Sequence, residues 1–286
     1  MDIGIVGHGF VGKALEFGFK DTHTLYINDK FKKDSLPLED VLKKSKVIFF
    51  CLPTPFDEET MHIDLTIYDE VIKEASKIVS GKIFVIKSTV VPETTRNYQN
   101  LYPNNNFAFN PEFLTEKNSN QDFINADRIV LGGNDSVLNV LEELYSACDH
   151  FKKTNIIKMS TTEAEIVKYQ ANIILLTRVA VSNYFYDICE KTGCDYEKVR
   201  EGVVTDPRIP KSHTIVPGPD GHRGAGGKCF IKDVAAIIGK GNDLNIDTGL
   251  VQEVYDYNNR IRENKDWKNI PGALSTGKQY GHSDNL

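Results

Sequence analysis

The sequence predicts an α/β protein: a doubly wound parallel sheet followed by an all-α part built on one long helix. Three observations point there. Through the first half, short β-branched runs alternate with amphipathic helical stretches, an alternation that needs crossover connections and hence a mostly parallel sheet covered on both faces. The segment Thr161 to Lys191 has no proline or glycine and carries apolar residues at helical spacing. Finally, Gly7-His8-Gly9-Phe10-Val11-Gly12 places a glycine-rich turn directly behind the first apolar run.

In chain order, strands are expected at Ile3–Val6, His23–Ile27, Val47–Leu52, Ile83–Lys87, Phe107–Asn110 and Arg128–Leu131. Between them, Tyr68–Ser80 sets Val71, Ile72, Ala75, Ile78 and Val79 on one helical face. The long helix has Ser160-Thr161-Thr162-Glu163 as a capping box and Gly193 as its stop. At 1.5 Å per residue it would run roughly 45 Å, too long for the interior of a small domain, so a second copy of the chain is expected against it. A Pro- and Gly-rich loop, Thr205 to Gly227, leads to a second helical region from Phe230 to about Ile261. The polar residues from Glu263 to Leu286 read as a poorly ordered tail. The expected division is therefore 1–157 as a dinucleotide-binding domain, 158–262 as a helical dimerisation and catalytic domain, and 263–286 as the tail.

Composition sets outer bounds. The chain has 286 residues, 34 basic against 40 acidic, for a net charge of −6. That balance speaks against a nucleic-acid or anionic-membrane surface. Apolar runs such as Val47–Leu52 are too short to span a bilayer. The acidic start Met1-Asp2-Ile3-Gly4 shows no signal peptide. Five scattered cysteines without CxxC spacing argue against a disulfide scaffold or a zinc site, and no metal is expected. A cytoplasmic protein is the expectation.

The glycine turn carries the first chemistry. Gly7 allows the tight turn, Gly9 lets backbone approach a pyrophosphate, and Gly12 lets helix and strand pack closely, with Phe10 and Val11 opening the helix. Phosphates then meet free N–H groups at a helix N-terminus. Asp29, ending the second strand, can accept from ribose hydroxyls. An acid there favours NAD over its 2′-phosphorylated form, while Lys30, Lys32 and Lys33 pull the other way. A Rossmann-type domain binding NAD is the reading.

Further motifs follow. They are Cys51-Leu52-Pro53-Thr54-Pro55, Lys87-Ser88-Thr89-Val90, Asn110-Pro111-Glu112-Phe113-Leu114-Thr115-Glu116, and Asp127-Arg128-Ile129-Val130. The long helix bears Glu163, Glu165, Lys168 and Asn172, and Gly224-Ala225-Gly226-Gly227-Lys228-Cys229-Phe230-Ile231-Lys232-Asp233 marks a loop-to-helix junction. Their order and wording resemble the UDP-glucose/GDP-mannose dehydrogenase family over about Met1 to Ile261.

The resemblance implies NAD-dependent four-electron oxidation of a nucleotide sugar, UDP-glucose to UDP-glucuronate as the first expectation, in polysaccharide biosynthesis. It makes Cys229 the nucleophile that traps the intermediate aldehyde. The residues agree: Cys229 precedes a helix between Lys228 and Lys232, so dipole and charge favour its thiolate, and among the five cysteines it alone sits in a glycine-rich loop. Cys189, Cys194, Cys148 and Cys51 read as packing or strand-end residues. Lys168 and Asn172, four apart on one helix face, would hold the oxyanion. By resemblance Glu112 activates water, and Thr89 and Asp233 position that water and hold Lys168. Pro53, Thr54, Thr89, Glu116 and Lys232 join the cofactor set, and Phe113, Leu114, Arg208 and Gly226 join the substrate set. Arg208 is implied to cross a homodimer boundary formed by the 161–191 helix.

Two departures stand out. The family usually has Phe at the Ala225 position and Ser at the Lys228 position. The family also adds a third, C-terminal domain over the nucleotide sugar, which roughly 25 polar residues cannot build. The expectation is a form lacking that domain, binding nucleotide sugars weakly unless a partner covers the cleft. Two alternatives stay open: a two-electron hydroxyacid dehydrogenase of the 6-phosphogluconate dehydrogenase type, and an inactive NAD-binding subunit.

Overall fold

The computed structural model describes residues 1–275, which fall into two units: Met1–Thr54 with Leu65–Lys168, and Pro55–Asp64 with the chain from Tyr169 onward. The first unit is a seven-stranded sheet of β1 (Asp2–Val6), β2 (Thr24–Asn28), β3 (Val47–Phe50), β4 (Ile83–Ile86), β5 (Asn106–Phe109), β6 (Arg128–Gly132) and β7 (Asn155–Met159). Its order is β2-β1-β3-β4-β5-β6-β7, and every pair is parallel except β5–β6. The central strands β3 (VIFF) and β4 (IFVI) are buried along their whole length, as strands covered on both faces must be.

Alternation splits the core in two. Ile3, Ile5, Phe49 and Val85 face α1 (Phe10–Phe19), α5 (Ser119–Ile124) and α6 (Asp135–Ser146), where Leu15, Phe19, Phe123, Leu141 and Tyr145 are buried. Val6, Ile48, Phe50 and Phe84 face α2 (Leu38–Lys44), α3 (Thr66–Ile78) and α4 (Thr94–Leu101). On α3 the buried residues are Tyr68, Ile72 and Ala75, the expected helical stripe. Each fully buried Phe in these layers contributes about 2–3 kcal/mol of transfer free energy.

Strand β7 was not expected, and it runs across the anticipated 157/158 boundary. It is an edge strand paired only with β6, with two of its five residues exposed and three half-buried.

Helix α7 runs from Thr161 to Thr192. Its capping box forms: Ser160 N–H donates to the Glu163 carboxylate at 2.8 Å and Glu163 N–H donates to Ser160 Oγ at 3.3 Å. Gly193 ends it in the left-handed region at φ +72°. In the second unit, α8 (Tyr196–Val203), α9 (Cys229–Asp243) and α10 (Gly249–Ile261) follow. The single helical region expected from Phe230 to Ile261 is thus two helices, broken at 244–248, where Asn245 takes φ +54°. Within 244–248 there is no Pro or Gly, and an asparagine tolerant of left-handed backbone makes the turn.

The core of this unit gathers Phe56, Leu176, Ile231, Val234, Ile238, Tyr255 and Trp267. Residues 263–275, expected to be poorly ordered, form part of it: Trp267 is 1% exposed and Ala273 is fully buried. They are held by the excursion 55–64. Phe56 N–H donates to Ala273 O at 3.0 Å, Ser275 N–H to Phe56 O at 2.7 Å, and Trp267 Nε1–H to Glu58 at 3.2 Å. The remainder of the expected tail, 276–286, lies outside the described residues. Among the described residues no helix is long and apolar enough to cross a membrane.

Candidate active site

Strand register decides what meets at one sheet edge. Val6 pairs with Asn28 and Phe50, Phe50 with Ile86, and Ile86 with Phe109. The residues after these strands therefore share that edge: Gly7, Asp29, Cys51–Thr54, Lys87–Thr89 and Asn110–Glu112. Ligands of open α/β sheets gather at such carboxyl ends.

Gly7 has φ +91°, and a Cβ on it would lie 2.5 Å from Cys51 O. A Cβ on Gly12 would fall on Gly7 O, whereas one on Gly9 would meet nothing within 4 Å. Gly9 is the N-cap of α1 and brings no side chain to its first-turn N–H groups, which suits an approaching pyrophosphate. Phe10 and Val11 are the first two residues of α1. Asp29 accepts from His8 N–H at 2.7 Å and Phe31 N–H at 3.0 Å, so its carboxylate is fixed beside the turn. Lys32 Nζ donates to His8 O at 2.9 Å and pairs with His8 Nδ1. Thr54 and Thr89 are buried, Pro53 is exposed, and Glu116 is exposed in a short 3₁₀ turn, Glu116–Asn118.

Beyond β5 lies a buried charge cluster. Lys168 Nζ donates to Glu112 Oε1 at 2.8 Å and Glu112 O at 2.7 Å; both side chains are under one-tenth exposed. Leu114 N–H donates to the other Glu112 oxygen at 2.8 Å. Burial would raise the Glu112 carboxyl, but the Lys168 ammonium, the Leu114 N–H and Lys87 outweigh it and hold it low, as a carboxylate. The Phe113 ring has the Arg128 guanidinium 4.5 Å and Lys168 Nζ 5.4 Å from its centre. Next to Glu112 opens a cavity of about 420 Å³, lined by Lys87, Phe113, Leu114 and Arg128 among others, within the size range of small-molecule sites.

In the second unit, Asp233 is fully buried and accepts from Asn172 Nδ2 at 2.6 Å and from Lys232 Nζ at 2.7 Å. Lys232 is itself buried in that pair. Cys229 is the first residue of α9, partly buried, behind Gly226, Gly227 and the N-cap Lys228. Arg208 is 86% exposed and its guanidinium is paired with Asp206, 2.6 Å away. Of the other cysteines, Cys148 and Cys189 are buried and Cys51 is partly so, but Cys194 is exposed and is not the packing residue expected. It sits just past the Gly193 stop, where the chain leaves the helix.

Three sets of residues were given no role by the sequence. Lys87 is buried, donates to Pro111 O at 3.0 Å, and is pushed down to about 8 by desolvation. Glu165 is fully buried and accepts from Glu93 N–H, Thr95 N–H and Thr95 Oγ1, with burial raising it to about 7. Asn258, Arg262 and Asp266 hold the glycine loop before Cys229. A polar residue every fourth position along and beyond a helix was the available signal for that last set.

Comparison with known proteins agrees with this layout. Residues 26–149 match the UDP-glucose/GDP-mannose dehydrogenase family, NAD binding domain, and residues 162–260 match the same family's central domain. UDP-glucose 6-dehydrogenase of Rickettsia bellii is 32% identical over 231 residues, covering 79% of this chain and 50% of that protein, so the chain spans half the length of this relative. A UDP-glucose dehydrogenase structure from the hyperthermophilic archaeon Pyrobaculum islandicum superposes with a TM-score of 0.79 at 23% identity, over 91% of this chain and 68% of that one. Mycobacterium tuberculosis 3-hydroxyisobutyrate dehydrogenase superposes at 0.72 with 15% identity, over 90% of this chain and 92% of that one. With its NAD-binding and central domains both accounted for, the chain belongs to the UDP-glucose/GDP-mannose dehydrogenase family.

Proposed function

We propose that the protein oxidises the primary alcohol of a nucleotide sugar to a carboxylate, with UDP-glucose as the first candidate. The observation that carries this reading is Cys229, a thiol on the first turn of α9 behind a fixed glycine loop. Bound NAD supplies the two-electron acceptor for each of two oxidations. The Gly7–Gly12 turn and Asp29 would hold it, with Pro53, Thr54, Thr89, Glu116 and Lys232 as further contacts.

The chain's own groups then have distinct tasks. The Cys229 sulfur adds to the aldehyde carbon, forming a C–S bond and an oxyanion that Lys168 and Asn172 stabilise. Loss of the second electron pair with hydrogen from that carbon leaves a thioester on Cys229. Glu112, held as a carboxylate, takes a proton from water as the water oxygen attacks; the C–S bond breaks, and carboxylate and thiol are released. Thr89 and Asp233 order the water and the cationic groups. Phe113, Leu114, Gly226 and Arg208 contact the sugar nucleotide.

A homodimer through α7 belongs to the same reading. Ile174, Val181, Tyr184, Phe185 and Ile188 are each at least 40% exposed on this helix, an apolar row that a second copy would cover. Arg208, exposed, would then serve the partner's site. A reduced cytoplasmic setting keeps the thiol available.

A panel of UDP- and GDP-sugars with NAD tests the proposal, following absorbance of NADH together with acid product. Two NADH per acid, and no acid from Cys229→Ser, are expected. One NADH per turnover with Cys229→Ser still active would instead support a two-electron hydroxyacid dehydrogenase, the reading favoured by the superposition on 3-hydroxyisobutyrate dehydrogenase along nearly its whole length.

A further inference from the structure

The loop that precedes Cys229 is gripped by three side chains from one stretch of sequence. Asn258, fully buried on α10, accepts from Ala225 N–H at 2.7 Å through Oδ1 and donates from Nδ2 to Ala225 O at 3.0 Å. Both carboxylate oxygens of Asp266 accept from Gly227 N–H at 3.1 Å. Arg262, 1% exposed, pairs with Asp220 at 2.7 Å and Asp266 at 3.3 Å and donates to Asn264 O at 2.7 Å and Gly224 O at 3.4 Å.

The glycines of the loop fit this grip. Gly224, at φ +68°, leaves room for Asn258 Oδ1, which would lie 2.8 Å from any Cβ there. A Cβ on Gly226 would fall on the Arg262 guanidinium and the Asp266 carboxylate. Gly227 takes φ +70° immediately before the N-cap of α9. Packing alone would not need a buried arginine with two carboxylates here. A short polar clamp instead fixes the loop's path at the point where the next helix starts.

From this geometry we infer that Asn258, Arg262 and Asp266 are positioning residues for Cys229. They fix the glycine loop so that the thiol is presented at the first turn of α9, where the N–H groups of the helix favour a thiolate. The inference rests on the reading of Cys229 as the nucleophile, but it is tested without substrate.

The experiment is site-resolved alkylation: iodoacetamide labelling of the whole protein over neutral to alkaline pH, with the Cys229 peptide quantified by mass spectrometry. In Asp266→Ala the loop loses its acceptor for Gly227 N–H, and the first turn of α9 loosens. The Cys229 rate at neutral pH is expected to fall about fivefold, its pH profile moving alkaline by about 0.7 unit. Asp266→Asn keeps one acceptor oxygen and restores most of the rate. If Asp266→Ala does not fold, Arg262→Lys keeps the charge opposite Asp220 and Asp266 but loses the fork, and a smaller alkaline shift is expected. A Cys229 profile that superimposes on the wild-type profile in the folded variant overturns the inference. The alkaline shift together with no acid from any sugar would fail the functional proposal and leave the clamp standing; acid production with an unmoved profile would do the reverse.

Discussion

The two glycine turns of this chain meet opposite surroundings. Both lead into a helix, α1 after Gly7–Gly9 and α9 after Gly224–Gly227. Around Gly9 the space is open, while Gly226 is pressed against the Arg262 guanidinium. At Gly9 the first turn leaves an open approach to its backbone, which is what a ligand's phosphates need. In the second, Gly224 and Gly226 face the protein's own polar side chains, which suits a loop whose task is to present one reactive side chain. A glycine kept for ligand approach and a glycine kept for internal packing look identical in sequence, and only the surrounding atoms separate them.

Substitutions can break or sharpen this contrast. The largest effect is expected from Gly226→Val, because the new side chain displaces a buried arginine and leaves Asp220 and Asp266 without it. A loss of about 3–5 kcal/mol by denaturant unfolding is expected. A loss below about 1 kcal/mol would mean that the clamp is loose.

Next comes Glu112→Gln, which asks whether the first unit's site depends on side-chain compensation as the second loop does. Lys168 would stay buried without its carboxylate, at a cost of about 3 kcal/mol near neutral pH. The sign with pH follows from the lowered carboxyl. The pair's contribution is complete above the usual value of 4.5 and is lost as pH falls through the lower folded value. The gap between wild type and Glu112→Gln should therefore narrow on acidification below that point; a gap that widens would contradict the assigned charge state.

Gly7→Ala should be milder, about 1–3 kcal/mol, from the left-handed backbone and the approach to Cys51 O. Gly9→Ala should change stability least, by under about 0.5 kcal/mol. Its NAD affinity, read by fluorescence titration, should nevertheless fall about tenfold, since the methyl enters the open approach kept for the pyrophosphate. Unchanged affinity would mean that the open turn is not where phosphates bind.

What was legible in the sequence was local. The glycine turn, the Ser160–Glu163 cap, the Gly193 stop and the apolar strands all write their causes within a few residues. Strand β7 is only five residues, with Ile156 and Ile157 followed by Lys158 and no alternation, too short a run for periodicity to separate it from the turn before α7. Lys87 and Glu165 stand within the sequence motifs but carry no assigned role there, because their significance is burial, which depends on partners such as Pro111 and Thr95 on other elements. Asp266 fell in the expected tail and Arg262 at the last position of the helical domain, and nothing nearby in the chain shows that the arginine is 1% exposed.

The excursion 55–64 has a consequence for how this polypeptide can be made and cut. Glu58 and Trp267 are separated by 209 residues yet share a hydrogen bond, and Phe56 sits in the same core as that tryptophan. During synthesis the early segment can join this core only after Trp267 has left the ribosome. A gene fragment beginning at Tyr169 would encode the second unit's helices without Phe56, leaving Trp267 and Leu274 to find other company. Such a product should clump, whereas a version that grafts the ten missing residues back through a linker should stay dispersed.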